Sequence, residues 1–133
     1  MPSIGGAAAT IVDVSSDNSA IGPAAPWSTI DTVLCDLDGV VWLAHRPIAG
    51  SVEAIAALRA SGRRVMFVTN NSAATRREHE AALEAIGIAA SGDVVSSAMA
   101  AARLVEPGER VLVAGGPGVV EAVGKDVTRF KPG

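Results

Sequence analysis

Asp36 and Asp38, two residues apart, end an apolar run that begins at Thr32, and Gly39 follows directly. Carboxylates held this close repel, which is costly unless a cation or a proton stabilises them. A hard cation with oxygen ligands, Mg²⁺, meets that need, so both aspartates are candidate metal ligands. Asp36, at a strand tip, can act as a nucleophile that forms an aspartyl phosphate. Asp38 can protonate the leaving oxygen and later deprotonate the attacking water. Gly39 permits the tight backbone that brings amides close to a phosphoryl group. A second polar turn, Thr69-Asn70-Asn71-Ser72, follows Val65-Met66-Phe67-Val68. Its Thr69 hydroxyl and Asn70 backbone N–H are donors suited to phosphoryl oxygens. A third turn, Gly115-Gly116-Pro117-Gly118, hints at a phosphate loop. It lacks the full dinucleotide spacing and the lysine of a nucleotide loop, and reads as a plain strand-to-helix turn.

Apolar runs must position these turns. Thr32-Val33-Leu34-Cys35, Val65-Met66-Phe67-Val68 and Val111-Leu112-Val113-Ala114 read as buried strands, and Asp93-Val94-Val95-Ser96 as a short extended piece. Residues 51–60 carry Val52, Ile55, Ala56 and Leu58 at helical spacing, with Ser51 as cap and Gly62 as terminator. Thr75-Arg76-Arg77-Glu78 has the spacing of a capping box, ahead of Leu83, Ile86 and a terminating Gly87. Ser97 to Val105 reads as a helix stopped by Pro107-Gly108, and a short helix runs from the glycine turn through Val123. Apolar strands alternating with helices imply a parallel sheet covered on both faces. Right-handed crossovers make this an α/β three-layer sandwich, doubly wound and Rossmann-like, with three or four strands. Ligands of such sheets bind beyond the carboxyl ends of the strands, where the acid pair and the Thr69 turn lie.

Composition narrows the rest. The chain has 133 residues, 49% hydrophobic and 19% charged, enough for one small domain. Residues 1–28 are rich in Ala, Gly, Ser and Pro and read as a disordered tail, with Thr10 to Val14 as a stray extended run. The folded part is then 29–133. A net charge of −3 without a basic cluster argues against nucleic-acid or anionic-membrane partners. A single cysteine, Cys35, excludes a disulfide framework and a cysteine metal cage. No apolar run approaches the ~20 residues that span a bilayer, and no secretory signal is read, so a cytoplasmic protein is expected.

Asp36-Leu37-Asp38-Gly39-Val40-Val41-Trp42 followed by Phe67-Val68-Thr69-Asn70-Asn71-Ser72 resembles the haloacid-dehalogenase-like (HAD) superfamily. Within it the chain is similar to the branch of sugar-phosphate, glycerol-phosphate and 4-nitrophenyl-phosphate phosphatases, over roughly residues 30–130. Pro47-Ile48-Ala49-Gly50 and Asp93-Val94-Val95-Ser96-Ser97-Ala98 belong to the same likeness. The resemblance implies Asp36 as nucleophile, Asp38 as general acid/base and Thr69 as phosphoryl ligand. It implies Mg²⁺ held by the Asp36 carboxylate and the Asp38 backbone carbonyl. It also implies a mobile flap over Gly39 to Pro47 and a small phosphorylated metabolite as substrate.

The family's lysine motif and second acidic pair lie downstream of a large cap. Lys131-Pro132 and Lys125 are read as linker and helix-end residues rather than that lysine. The expectation is an N-terminal fragment of the family core, impaired as it stands, with the strand around Val33 left as an exposed edge open to self-association. The competing expectation is a non-catalytic fragment or pseudoenzyme that binds a phosphorylated ligand or a complementary chain. Cys35 is expected to pack in the core. His45 and His79 are expected on a flap surface and a helix face, and Arg76 and Arg77 on a solvated helix start. Trp42 either covers the site or packs in the flap.

Overall fold

In a computed structural model of the chain, residues 30–123 are described. The expected tail 1–28, the run Thr10 to Val14, and Lys125 and Lys131-Pro132 lie outside them. The elements are β1 (Thr32–Asp36), β2 (Trp42–Leu43), β3 (Arg46–Pro47), α1 (Ser51–Ala60), β4 (Arg64–Thr69), α2 (Arg76–Ala85), β5 (Val94–Ser96), α3 (Ser97–Ala102) and α4 (Pro117–Val123). β1, β4 and β5 form a parallel sheet in that order, and β2 with β3 make a small antiparallel hairpin.

Register builds the core. Cys35 pairs with Phe67, and Phe67 with Val94, so one face carries a continuous row across three strands. Phe67, Val65 and Val94 are buried there, and α1 adds Ile55 and α2 adds Leu83 to the same cluster. Both crossovers step the same way along the sheet, and right-handed connections put both helices on one face. The opposite face is less covered: Leu34 is 65% exposed, and Met66 and Val68 are half-buried. β1 is the edge of the described sheet, as expected.

Val111-Leu112-Val113-Ala114, expected as a buried strand, is irregular, and Leu112 is 82% exposed. Apolar, β-branched composition favours a strand only where a neighbouring edge completes the ladder. Among the described residues no strand pairs with this run. The third strand is instead the short Val94–Ser96 piece.

The helix boundaries follow from local chemistry. α1 starts after Gly50, whose φ of 84° is left-handed and strained for any residue with a Cβ. Ser51, expected as its cap, is the first helical residue, and its hydroxyl donates to Val41 O at 2.9 Å. α2 has the expected capping box: Thr75 Oγ1 accepts from Glu78 N, and Glu78 Oε2 accepts from Thr75 N at 2.7 Å. The helix from Ser97 stops at Ala102, short of Val105. Arg59 on α1 donates to Ala89 O at 2.6 Å and meets Asp93 at 3.3 Å, tying α1 to the segment that leads into β5.

Thr75→Ala removes a cap and is expected to cost ~1 kcal/mol in urea unfolding. Both backbone and side-chain bonds from Thr75 hold the Glu78 carboxyl below its usual range. A carboxylate depressed by folding stabilises above its unfolded pKa, and the contribution disappears as pH falls through the folded value. Wild type is therefore expected to melt higher than Glu78→Gln at neutral pH, with the two curves converging below the ordinary glutamate range.

Candidate active site

β1 delivers the acid pair. Exposure alternates along its end: Asp36 is exposed, Leu37 is fully buried and Asp38 is exposed. Leu37 is the anchor, and its N–H donates both to Val68 O at 3.1 Å and to Asp36 Oδ1 at 2.9 Å. The ladder thus continues one residue past β1 while holding the Asp36 carboxylate. Asp38 Oδ1 accepts from the indole Nε1 of Trp42 at 3.0 Å. Gly39 has φ of 88°, which explains glycine at this turn. Its own N–H donates to Trp42 O at 2.8 Å, so Gly39 shapes the turn and its amide is not a free phosphoryl donor.

β4 delivers the second turn. Asp36 pairs with Val68, so Thr69 emerges one residue further along the neighbouring strand. Parallel strands lie about 4.8 Å apart, which sets the two tips side by side. Thr69 is nearly buried, and its Oγ1 accepts from Asn71 N at 3.0 Å. The hydroxyl proton stays available to an incoming acceptor. Asn70 is exposed, and its carbonyl accepts from Ser97 Oγ at 3.3 Å.

The turn is clamped from outside by residues that sequence reading did not assign. His79, expected on a helix face, is 1% exposed. Its Nε2 lies 3.0 Å from Asn71 O, and since a carbonyl only accepts, Nε2 carries the hydrogen. A Cβ on Gly118 would collide with the carbonyl oxygens of Ser72 and Ala74, and one on Gly116 would meet Ala73. The Gly115–Gly118 segment therefore seats α4 against the turn. Glu121 on α4 also accepts from Arg76 N at 2.8 Å. The helical spacing that puts His79 and Leu83 on one buried stripe was the available signal for His79.

Cys35 packs against the core as expected, and burial, reinforced by the neighbouring Asp36 charge, pushes its thiol up. A thiol so shifted is a poor nucleophile. Among the described residues no three His, Cys, Asp or Glu side chains converge. The donors at the tip are the two aspartates and backbone oxygens. That set suits Mg²⁺, which binds through one or two carboxylates and completes its octahedron with water and phosphate oxygens. Two cavities lie beside α3 and α4, one lined by Arg76, Met99, Arg103 and Glu121, and neither is lined by Asp36, Asp38 or Thr69. Asp36, Asp38 and Asn70 are exposed, whereas Thr69 is buried. Among the described residues no helix is long and apolar enough to cross a membrane.

Comparisons with known proteins agree with this fold. The model of the haloacid dehalogenase-like hydrolase family matches residues 33–126. D-glycerol 3-phosphate phosphatase of Mycobacterium tuberculosis is 40% identical over 110 residues, covering 76% of this chain and 30% of that protein. Phosphoglycolate phosphatase 2 of Arabidopsis thaliana is 33% identical over 71% of this chain and 34% of its own length. The crystal structure of glycerol phosphate phosphatase from Mycobacterium tuberculosis in complex with magnesium superposes with a TM-score of 0.65 at 37% identity, over 72% of this chain and 30% of that one. The p-nitrophenyl phosphatase of Archaeoglobus fulgidus superposes with a TM-score of 0.65 at 28% identity, over 71% of this chain and 38% of that one. The chain spans about a third of the length of the curated relatives it matches. With a match that takes in both strand-tip turns, the chain belongs to the haloacid dehalogenase-like hydrolases.

Proposed function

We propose that this chain supplies the nucleophile side of a Mg²⁺-dependent phosphoric monoester hydrolase acting on a small phosphorylated metabolite. The observation that supports it most is the parallel register in which Asp36 pairs with Val68, with Thr69 one residue further along β4. Phosphatase names among the relatives, and the magnesium complex of one of them, support the same reading.

In this reading an Asp36 carboxylate oxygen attacks phosphorus and the ester P–O bond breaks. The departing alkoxide takes a proton from Asp38, and the phosphoryl group is left on Asp36. A water then attacks that phosphorus, gives its proton to Asp38, and restores the Asp36 carboxylate with release of phosphate. The Thr69 hydroxyl and the Asn70 N–H bind the phosphoryl oxygens as their charge develops. Bound Mg²⁺ would neutralise charge between the Asp36 carboxylate and the phosphoryl group, with Asp36 and the Asp38 backbone carbonyl as its protein ligands.

A second reading, a non-catalytic chain that binds a phosphorylated ligand or a complementary chain, draws on β1 as the edge of the described sheet and on the exposed Leu34. Turnover decides between the two. With Mg²⁺ and 4-nitrophenyl phosphate, Asp36→Asn is expected to fall to the uncatalysed rate. Asp38→Asn is expected to lose ~10²–10⁴-fold with a poor leaving group, the usual span of general acid catalysis. Undiminished turnover in Asp36→Asn contradicts the nucleophile. Wild type that binds inorganic phosphate in calorimetry but turns nothing over supports the second reading.

A further inference from the structure

Trp42 is 1% exposed, and its indole N–H is a donor with no capacity to accept. A buried N–H without a partner is costly. Its partner is Asp38 Oδ1, at 3.0 Å. The backbone reinforces the pairing: Trp42 N donates to Leu37 O at 3.1 Å, and Gly39 N donates to Trp42 O at 2.8 Å. The loop from Leu37 to Trp42 is thus closed on both sides of Asp38. Trp42 also opens β2, pairs with Pro47 across the hairpin, and has the His45 ring 4.9 Å away. Among the described residues Asp38 Oδ2 has no partner.

We propose that Trp42 is a positioning residue for Asp38, anchoring Oδ1 so that Oδ2 alone carries the proton in both half-reactions. This rests on the phosphatase reading above. An indole N–H keeps its hydrogen throughout, so it holds the carboxyl in one rotamer and takes no part in the transfer. Asp38 gives a proton from Oδ2 to the leaving oxygen and regains one on Oδ2 from water. The fixed rotamer removes the search that a free aspartate would make before each transfer.

The test has two arms. The first needs no turnover. The chain has two tryptophans, so its ¹⁵N–¹H spectrum has two indole signals, and Trp42→Phe identifies one by deletion. In Asp38→Ala the Trp42 indole hydrogen is expected to exchange with solvent at least ~10-fold faster, the usual effect of losing a charge-assisted hydrogen bond, while β4 amides keep their rates. Unchanged indole exchange overturns the proposal. The second arm compares Trp42→Phe on 4-nitrophenyl phosphate, whose leaving group needs no proton, and on glycerol 3-phosphate, whose leaving group does. A loss on glycerol 3-phosphate ~10-fold greater than on 4-nitrophenyl phosphate is expected, in kcat rather than KM. Equal losses on both overturn the positioning role. If Trp42→Phe does not fold, Trp27→Phe assigns the two indole signals instead, and exchange in Asp38→Ala decides. A wild type without turnover defeats the phosphatase reading, and the exchange arm still decides the Trp42–Asp38 contact.

Discussion

Parallel pairing of β1 with β4 is the constraint on which the site depends. Parallel strands release their carboxyl ends at the same edge of the sheet, so two turns more than thirty residues apart in sequence become neighbours. A slip of one residue would reverse the faces of every side chain along β1 and bury an aspartate. Phe67 resists that slip, because it is fully buried between Cys35 and Val94 in register. Core packing on one face of the sheet thereby sets which residues stand at its end.

Around that constraint, named contacts hold each turn. Ser97 and His79 take the carbonyls of Asn70 and Asn71, and Gly118 lets α4 approach Ser72 and Ala74 closely. Trp42 takes one oxygen of Asp38, and Leu37 N takes one of Asp36. Asp36 and Asp38 are each held through one carboxylate oxygen. Such preorganisation suits phosphoryl transfer, where catalysis is mostly positioning and charge stabilisation.

The parts of this arrangement that rest on short-range rules were readable in the sequence. The apolar runs of β1 and β4, and the Thr75–Glu78 box, have local causes and formed, although β1, expected as a buried strand, has no buried residue because the described sheet ends at it. The run at 111–114 looked equally strand-like, but a strand requires a partner edge, which composition does not reveal. Ser51 was a natural cap by type, yet Gly50 in a left-handed conformation took that role and freed its hydroxyl for Val41. The two-residue strands of the hairpin, with positive φ at Ala44 and His45, are too short to show a period. The acid pair and Thr69 stood out by type and spacing, whereas His79 and Trp42 act through hydrogen bonds made only once the chain is folded.

The central claim is that the acid tip of β1 and the Thr69 turn form one receptor for a phosphoryl group. Titration of the ¹⁵N-labelled chain with inorganic phosphate in the presence of Mg²⁺ tests it most directly. Amides of Leu37 to Gly39 and of Thr69 to Asn71 are expected to shift together along a single binding curve. Shifts confined to one of the two turns, or appearing instead beside α3 and α4, would contradict the account.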